Sequence, residues 1–152
     1  MNDKEYILRA VELARNAVAA GGEPFGAILV RDGQVIAEGM NEAHINHDPS
    51  AHAEMQTLRT ASRALKTHTH PNSTMYASGK PCAMCMAAMI QSGVTRIVFC
   101  ADDDVGGQYG YSTEALYAQM KQGFGDQGVV VEHLPVEQQH DPFEMWQQKK
   151  TP

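Results

Sequence analysis

Two short stretches decide what this chain can fold into. His52-Ala53-Glu54 lies at the start of one helical pattern, and Pro81-Cys82-Ala83-Met84-Cys85 opens another, with Cys82 twenty-eight positions beyond Glu54. If both stretches serve one site, the fold must bring two helix N-termini together. That requirement suits strands alternating with crossover helices and argues against a simple bundle or meander.

The pattern along the chain agrees. Tyr6, Ala10, Leu13, Ala14, Ala17 and Val18 recur at helical spacing, and Gly21-Gly22 ends that run. FGAILV and QVIAEGM are apolar runs joined by Arg31-Asp32-Gly33-Gln34, and the Asp-Gly pair predicts a tight antiparallel hairpin. Asp48 or Ser50 is the expected cap of the next helix, with Pro49 in its first turn and its end near Lys66. TMYAS reads as a strand, CAMCMAAMIQS as a helix closed by Gly93, and TRIVFCA as a strand. After a glycine-bearing loop come a helix over TEALYAQMKQ, a strand over GVVVEHL and a last helix over DPFEMWQQKK. The 152 residues fit one domain with its own core. No apolar run reaches the length of a membrane span, and the charged N-terminus lacks the apolar segment of a signal peptide. The expectation is a cytoplasmic protein, in whose reducing surroundings three cysteines are not a disulfide framework.

The net charge of −6 is unevenly placed: residues 1–100 hold nine acidic and nine basic side chains, and residues 101–152 hold nine and three. An acidic chain without a basic stripe is a poor match for phosphate backbones, so nucleic acid is an unfavoured partner.

Cys82 and Cys85 at a helix start are placed to have lowered thiol pKa values, because the helix dipole favours thiolate. Alone, this C-x-x-C is open to three readings: a redox pair, half of a structural zinc site, or two small buried residues. His52 adds a third ligand from a second helix start. Three protein ligands with a fourth position left to water is the pattern of catalytic zinc. Glu54, two residues beyond His52, then has a task as the base that handles the water's proton.

His52-x-Glu54 with Pro81-Cys82-x-x-Cys85 is the signature of zinc nucleobase deaminases. With PFGAILV, VIAEGMN, HDPSAHAEM, TMYASGKPCAMCMAAMI and RIVF in order, most of the chain resembles the cytidine deaminase-like superfamily. Within it, the likeness is to the branch of bacterial guanine deaminases and tRNA adenosine deaminases. The resemblance implies a three-layer α/β/α sandwich around a five-stranded mixed sheet, one Zn2+ per chain and a homodimer. It implies hydrolytic deamination of a planar base, with Glu54 carrying the proton. Asn41 matches an asparagine that holds the base edge, Phe25 an aromatic wall, and the backbone N–H groups of Ala53 and Glu54 are further contacts.

A small-molecule purine base, guanine first, is the expected substrate, with tRNA adenosine or a cytosine-type base as alternatives. Guanine's N1–H and 2-amino group need acceptors, for which Asp104 or Glu114 are candidates. The C-terminus, HDPFEMWQQKK, resembles that of guanine deaminases, where it closes over the active site. Residues 141–152 are accordingly read as a lid anchored by Phe143 and Trp146, against the plainer reading of a docked last helix. One departure stands out: the branch has Glu-Pro-Cys before the first cysteine ligand, and this chain has Lys80-Pro81-Cys82.

Overall fold

The computed structural model describes residues 1–150, and its contacts divide the chain into two compact units, Met1–Lys121 and Gln122–Pro152. In the first unit, α1 (Asp3–Ala19) precedes a hairpin of β1 (Gly26–Arg31) and β2 (Gln34–Met40). A short helix, α2 (Ala43–Asn46), leads to α3 (Ala53–Leu65), β3 (Ser73–Gly79), α4 (Ala83–Gln91) and β4 (Arg96–Ala101). Two further helices, α5 (Asp103–Gly107) and α6 (Glu114–Met120), complete it. The sheet order is β2-β1-β3-β4, with β1 antiparallel to both β2 and β3 and β3 parallel to β4.

The expected hairpin forms. Asp32 and Gly33 take φ of 50° and 72°, and Arg31 pairs with Gln34 across the two-residue turn. Positive φ at both central positions belongs to a turn whose twist matches that of paired strands, and glycine takes it without steric cost.

The two faces of β1 carry different partners, as side-chain alternation requires. Ile28 and Val30 pack with Tyr6, Ala10 and Tyr76 against α1. Ala27 and Leu29 pack with Ala37, Ala53, Leu58, Met75, Cys85 and Met89 beneath α3 and α4. The first unit is therefore a helix–sheet–helix sandwich, as expected. Thr57 fixes α3 to the sheet, donating through Oγ1 to Ala53 O at 2.8 Å and to Ala27 O at 3.2 Å. Backbones are close here: a Cβ added to Gly39 of β2 would stand 2.5 Å from Thr57 Oγ1 and 2.7 Å from Ala53 O.

Two expectations are corrected. Among the described residues the sheet has four strands rather than five. Residues 128–134, read as the strand GVVVEHL, form no ladder, and Val129, Val130, Val131 and Leu134 are exposed. A β-branched run becomes a strand only where a neighbour's backbone groups pair with it, and it has no such partner here. Helix α3 begins at Ala53 and not near Pro49. Asp48 spends its carboxylate on the backbone N–H and hydroxyl of Ser50, closing a turn ahead of the helix and leaving His52 at the N-cap. Cys100 is exposed on the edge strand β4.

The second unit holds a 3₁₀ turn (Glu137–His140) and α7 (Asp141–Lys150), whose Lys150 ammonium lies 4.7 Å from the Trp146 ring centroid. Among the described residues no helix is long and apolar enough to cross a membrane.

Candidate active site

The site grows from two helix starts. His52 is the N-cap of α3 and Cys82 the N-cap of α4, both with extended backbones (φ −69°, ψ 157° and φ −71°, ψ 169°). Neither side chain caps its own helix. Both are turned instead toward each other, and Cys85, one turn along α4, joins them. His52 Nδ1 lies 3.5 Å from Cys82 Sγ and 3.6 Å from Cys85 Sγ, and all three ligand atoms fall within 4.8 Å of one another. Tetrahedral zinc with Zn–N of about 2.05 Å and Zn–S of about 2.3 Å sets N and S about 3.6 Å apart. The donor set and its spacing fit zinc, and three protein ligands leave a fourth position open.

The electrostatics agree with a metal-binding pair of thiols. The bond from Cys85 and the neighbouring His52 hold the Cys82 thiol down at about 4. The same bond, together with burial, pushes the Cys85 thiol far up. Contact with the Cys82 sulfur raises His52. Glu54 is buried, 7% exposed, and burial raises its carboxyl above the ordinary range.

A pocket of about 150 Å³ opens over these groups, lined by Glu23, Phe25, His52, Glu54, Lys80, Cys82, Tyr111, Ser112, Thr113 and Leu116. Phe25 meets Tyr111 edge-on, with centroids 5.2 Å apart at 82°. Of the residues singled out in the sequence, His52, Cys82, Cys85, Glu54 and Phe25 come together. Ala53 is buried under them in the first turn of α3. Asn41 is buried and set back from the pocket. Its Oδ1 accepts from Ala43 N at 3.1 Å and Glu23 N at 3.4 Å, and its Nδ2 lies 3.5 Å from Glu23 Oε2. It is Glu23 that reaches the lining, its other oxygen 3.0 Å from His44 Nε2. Asp104 and Glu114 are exposed and do not line the pocket. Trp146 and Phe143 belong to the second unit and are exposed there, and the last two residues of the expected lid lie outside the described residues.

Sequence reasoning passed over Glu23 and chose Asp104 rather than its neighbour Asp103. Lys80 Nζ lies 2.5 Å from Asp103 Oδ2, and Asp103 Oδ1 accepts from the Thr113 backbone N–H at 2.6 Å and its hydroxyl at 3.0 Å. Tyr117 donates its hydroxyl to Pro81 O at 2.6 Å. These bonds pin α5 and α6 to the segment that carries Cys82.

Residues 1–101 match the model of the cytidine and deoxycytidylate deaminase zinc-binding region. The chain belongs to that family. A zinc-binding deaminase of this kind is a zinc-dependent aminohydrolase, and the cluster of His52, Cys82 and Cys85 fits its metal. The chain is 31% identical to guanine deaminase of Bacillus subtilis over 147 residues, 96% of this chain and 94% of that one. The crystal structure of the Bacillus subtilis guanine deaminase superposes with a TM-score of 0.88 at 30% identity, covering 97% of this chain and 95% of that one. A solved guanine deaminase from Nitrosomonas europaea gives a TM-score of 0.66 at 29% identity over 84% of this chain and 66% of that one. The tRNA-specific adenosine deaminase of Haemophilus influenzae is 40% identical over 102 residues, 66% of this deaminase and 59% of its own length.

Proposed function

We propose that this deaminase converts a free purine base, guanine first, to its oxo product with release of ammonia: guanine and water give xanthine. The observation that carries the reading is the extent of the likeness. Similarity to the Bacillus subtilis guanine deaminase runs through 97% of the chain, the last third included, while the tRNA-specific match ends at two thirds. The pocket of about 150 Å³ accords with a single planar base as the reacting group. The excess of acid after residue 100 supports the reading too.

His52, Cys82 and Cys85 hold zinc. When bound, the metal acts as a Lewis acid that brings the pKa of a water into the neutral range. Glu54 is the proton carrier. Its burial raises its pKa, so its protonated form survives long enough to pass the water's proton on to a ring nitrogen. The C–N bond then breaks, and Glu54 supports protonation of the departing amine. Phe25 and Tyr111 wall the ring and exclude water. The N–H groups at the start of α3, Ala53 among them, have no partner within the helix and point donors at the base. Glu23 is better placed than Asp104 or Glu114 to accept from the base's N–H groups.

We also propose a homodimer. A groove of about 470 Å³ between α4 and α6 is lined by Met84, Met86, Ile90, Leu116 and Met120, and Ile90 is 67% exposed. A second copy covering that face would remove it from water. The free thiols support the cytoplasm as the working compartment. The proposal also keeps residues 1–152 as one domain, with residues 141–152 as its C-terminal lid segment.

The test is ammonia release from guanine, adenine, cytosine, isoguanine, their nucleosides and ammeline by the zinc-loaded enzyme, with Glu54→Ala as the blank. Release from guanine that is absent in the mutant is the expected result. Release only from an anticodon stem-loop carrying adenosine would replace this reading with the RNA one, which the 40% identity over 102 residues keeps in view.

A further inference from the structure

The residue at which this chain departs from its branch lines the pocket. Lys80 follows β3 directly, and its backbone N–H is fixed by Ala101 O at 2.8 Å. Its ammonium is held by Asp103 and sits 5.3 Å from the Tyr117 ring centroid. The ion pair is well covered, with the Lys80 side chain 34% exposed and that of Asp103 10%.

Of the pair, Lys80 lines the pocket and Asp103 does not. Asp103 is committed on both oxygens, to Lys80 on one side and to the Thr113 N–H and hydroxyl on the other. It has little acceptor capacity left for a ligand. An ammonium has three N–H donors, and Asp103 takes one of them. What Lys80 brings to the pocket's lining is therefore a tethered ammonium with donors to spare, where an acid would bring an acceptor.

We propose that Lys80, tethered by Asp103, is a specificity-determining residue that donates a hydrogen bond to a carbonyl oxygen on the purine ring. It selects 2-amino purines with an oxo group over those with hydrogen or an amine in its place. This rests on the purine reading above and adds the group that reads the ring. The chemistry favours such a donor. Attack on the carbon bearing the amine drives electron density into the ring and onto an attached oxygen, so a nearby cation acts more on the transition state than on the ground state. A charged, partly buried donor left without an acceptor opposes an analogue that lacks the oxygen.

The experiment compares guanine, 2-aminopurine and 2,6-diaminopurine, which share the 2-amino group and differ at the 6-substituent and in the N1 proton that guanine alone carries; the Lys80 variants separate the two, because they leave Glu23 in place. Wild type, Lys80→Met, Lys80→Arg and Asp103→Asn are assayed for kcat, KM and zinc content. The wild type is expected to favour guanine over 2-aminopurine by about 100-fold or more in kcat/KM. Lys80→Met brings that ratio to within about threefold, mainly by lowering kcat for guanine, with zinc retained and 2-aminopurine turnover little changed. Lys80→Arg restores most of the preference. If Lys80→Met fails to hold zinc, Asp103→Asn carries the test, because it loosens the ammonium without removing it, and the ratio should narrow by about 3- to 10-fold.

Turnover of all three bases with a ratio that Lys80→Met and Asp103→Asn leave unmoved overturns the assignment and leaves the purine reading intact. Equal losses on all three in Lys80→Met would reduce the pair to a structural latch, which also overturns it. No turnover of any of the three by the wild type overturns the purine reading and this inference together.

Discussion

Gly39 sits where β2 runs closest to α3, and replacing it with alanine tests whether that closeness sets the catalytic geometry. The added Cβ would meet Ala53 O and Thr57 N, both at 2.7 Å, and Thr57 Oγ1 at 2.5 Å. The hydroxyl belongs to a side chain that already bridges Ala53 and Ala27, and the other two atoms are backbone, so no rotamer relieves the contact. Ordinary carbon contacts begin near 3.4 Å, so α3 must retreat from the sheet by about 0.7 Å. Overpacking of this kind costs about 1–3 kcal/mol, or about 3–10 °C in Tm for a unit of this size. The functional cost is larger than the structural one. The turn that moves carries His52 at its N-cap and Glu54 two residues on. Displacements near 1 Å from productive geometry lower rates about 100-fold. Gly39→Ala should therefore drop kcat/KM by about 10- to 100-fold while the fold survives. The assay is ammonia release alongside thermal denaturation and zinc analysis. Wild-type kcat/KM with a Tm lowered by several degrees would refute the reasoning, because the strain would then have been absorbed without moving the site.

Three other outcomes are expected. Glu54→Gln should lower kcat by about 10²- to 10⁴-fold with zinc retained. Because burial raises the Glu54 pKa, the metal-free folded state keeps a proton that the unfolded chain loses above its ordinary value of 4.5. Its contribution to stability therefore declines as pH rises from there through the raised value, and denaturation scans should show the metal-free wild type losing ground to Glu54→Gln over that window. Zinc affinity should fall by at least about tenfold per pH unit as pH drops below neutral, since His52 and Cys85 are held protonated without metal and must release their protons. Calorimetry in buffers of different ionisation enthalpy measures that release, and an affinity unchanged between pH 8 and 6 would contradict it. Ile90→Glu should turn a dimer into a monomer by sedimentation, because it puts a charge into the apolar groove between α4 and α6; a wild type that is already monomeric removes the basis for the expectation.

The cluster of His52, Cys82 and Cys85 was legible in the sequence because each lies close to a helix start. The start of α4 is recognisable from Pro81 and from apolar spacing, while the start of α3 lies a few residues later than its capping residues imply. The hairpin was legible for the same reason, since Asp32-Gly33 closes it with two residues. What escaped depends on contacts between segments distant in the chain. Glu23 reads as a turn residue until Asn41 and His44 are seen holding it at the pocket. Lys80 reads as a displaced acid until Asp103, 23 residues on, is seen to neutralise it. Asn41 is legible as a polar residue after a strand, but its burial behind Glu23 is a matter of packing. The missing fifth strand is the plainest case. Residues 128–134 have strand composition, yet composition does not supply the neighbour whose backbone a strand needs.

His52 and Cys82 sit at helix N-caps whose backbones are braced by the sheet, while Glu23, Lys80, Ser112 and Thr113 reach the pocket from the segments between elements. The metal donors and the other groups that line the pocket are therefore mounted on different parts of the chain. The Lys80–Asp103 pair sets a positive charge on the segment before α4 and the opposite charge at the start of α5, so a change at either residue alters the charge beside the pocket while all three metal donors stay in place.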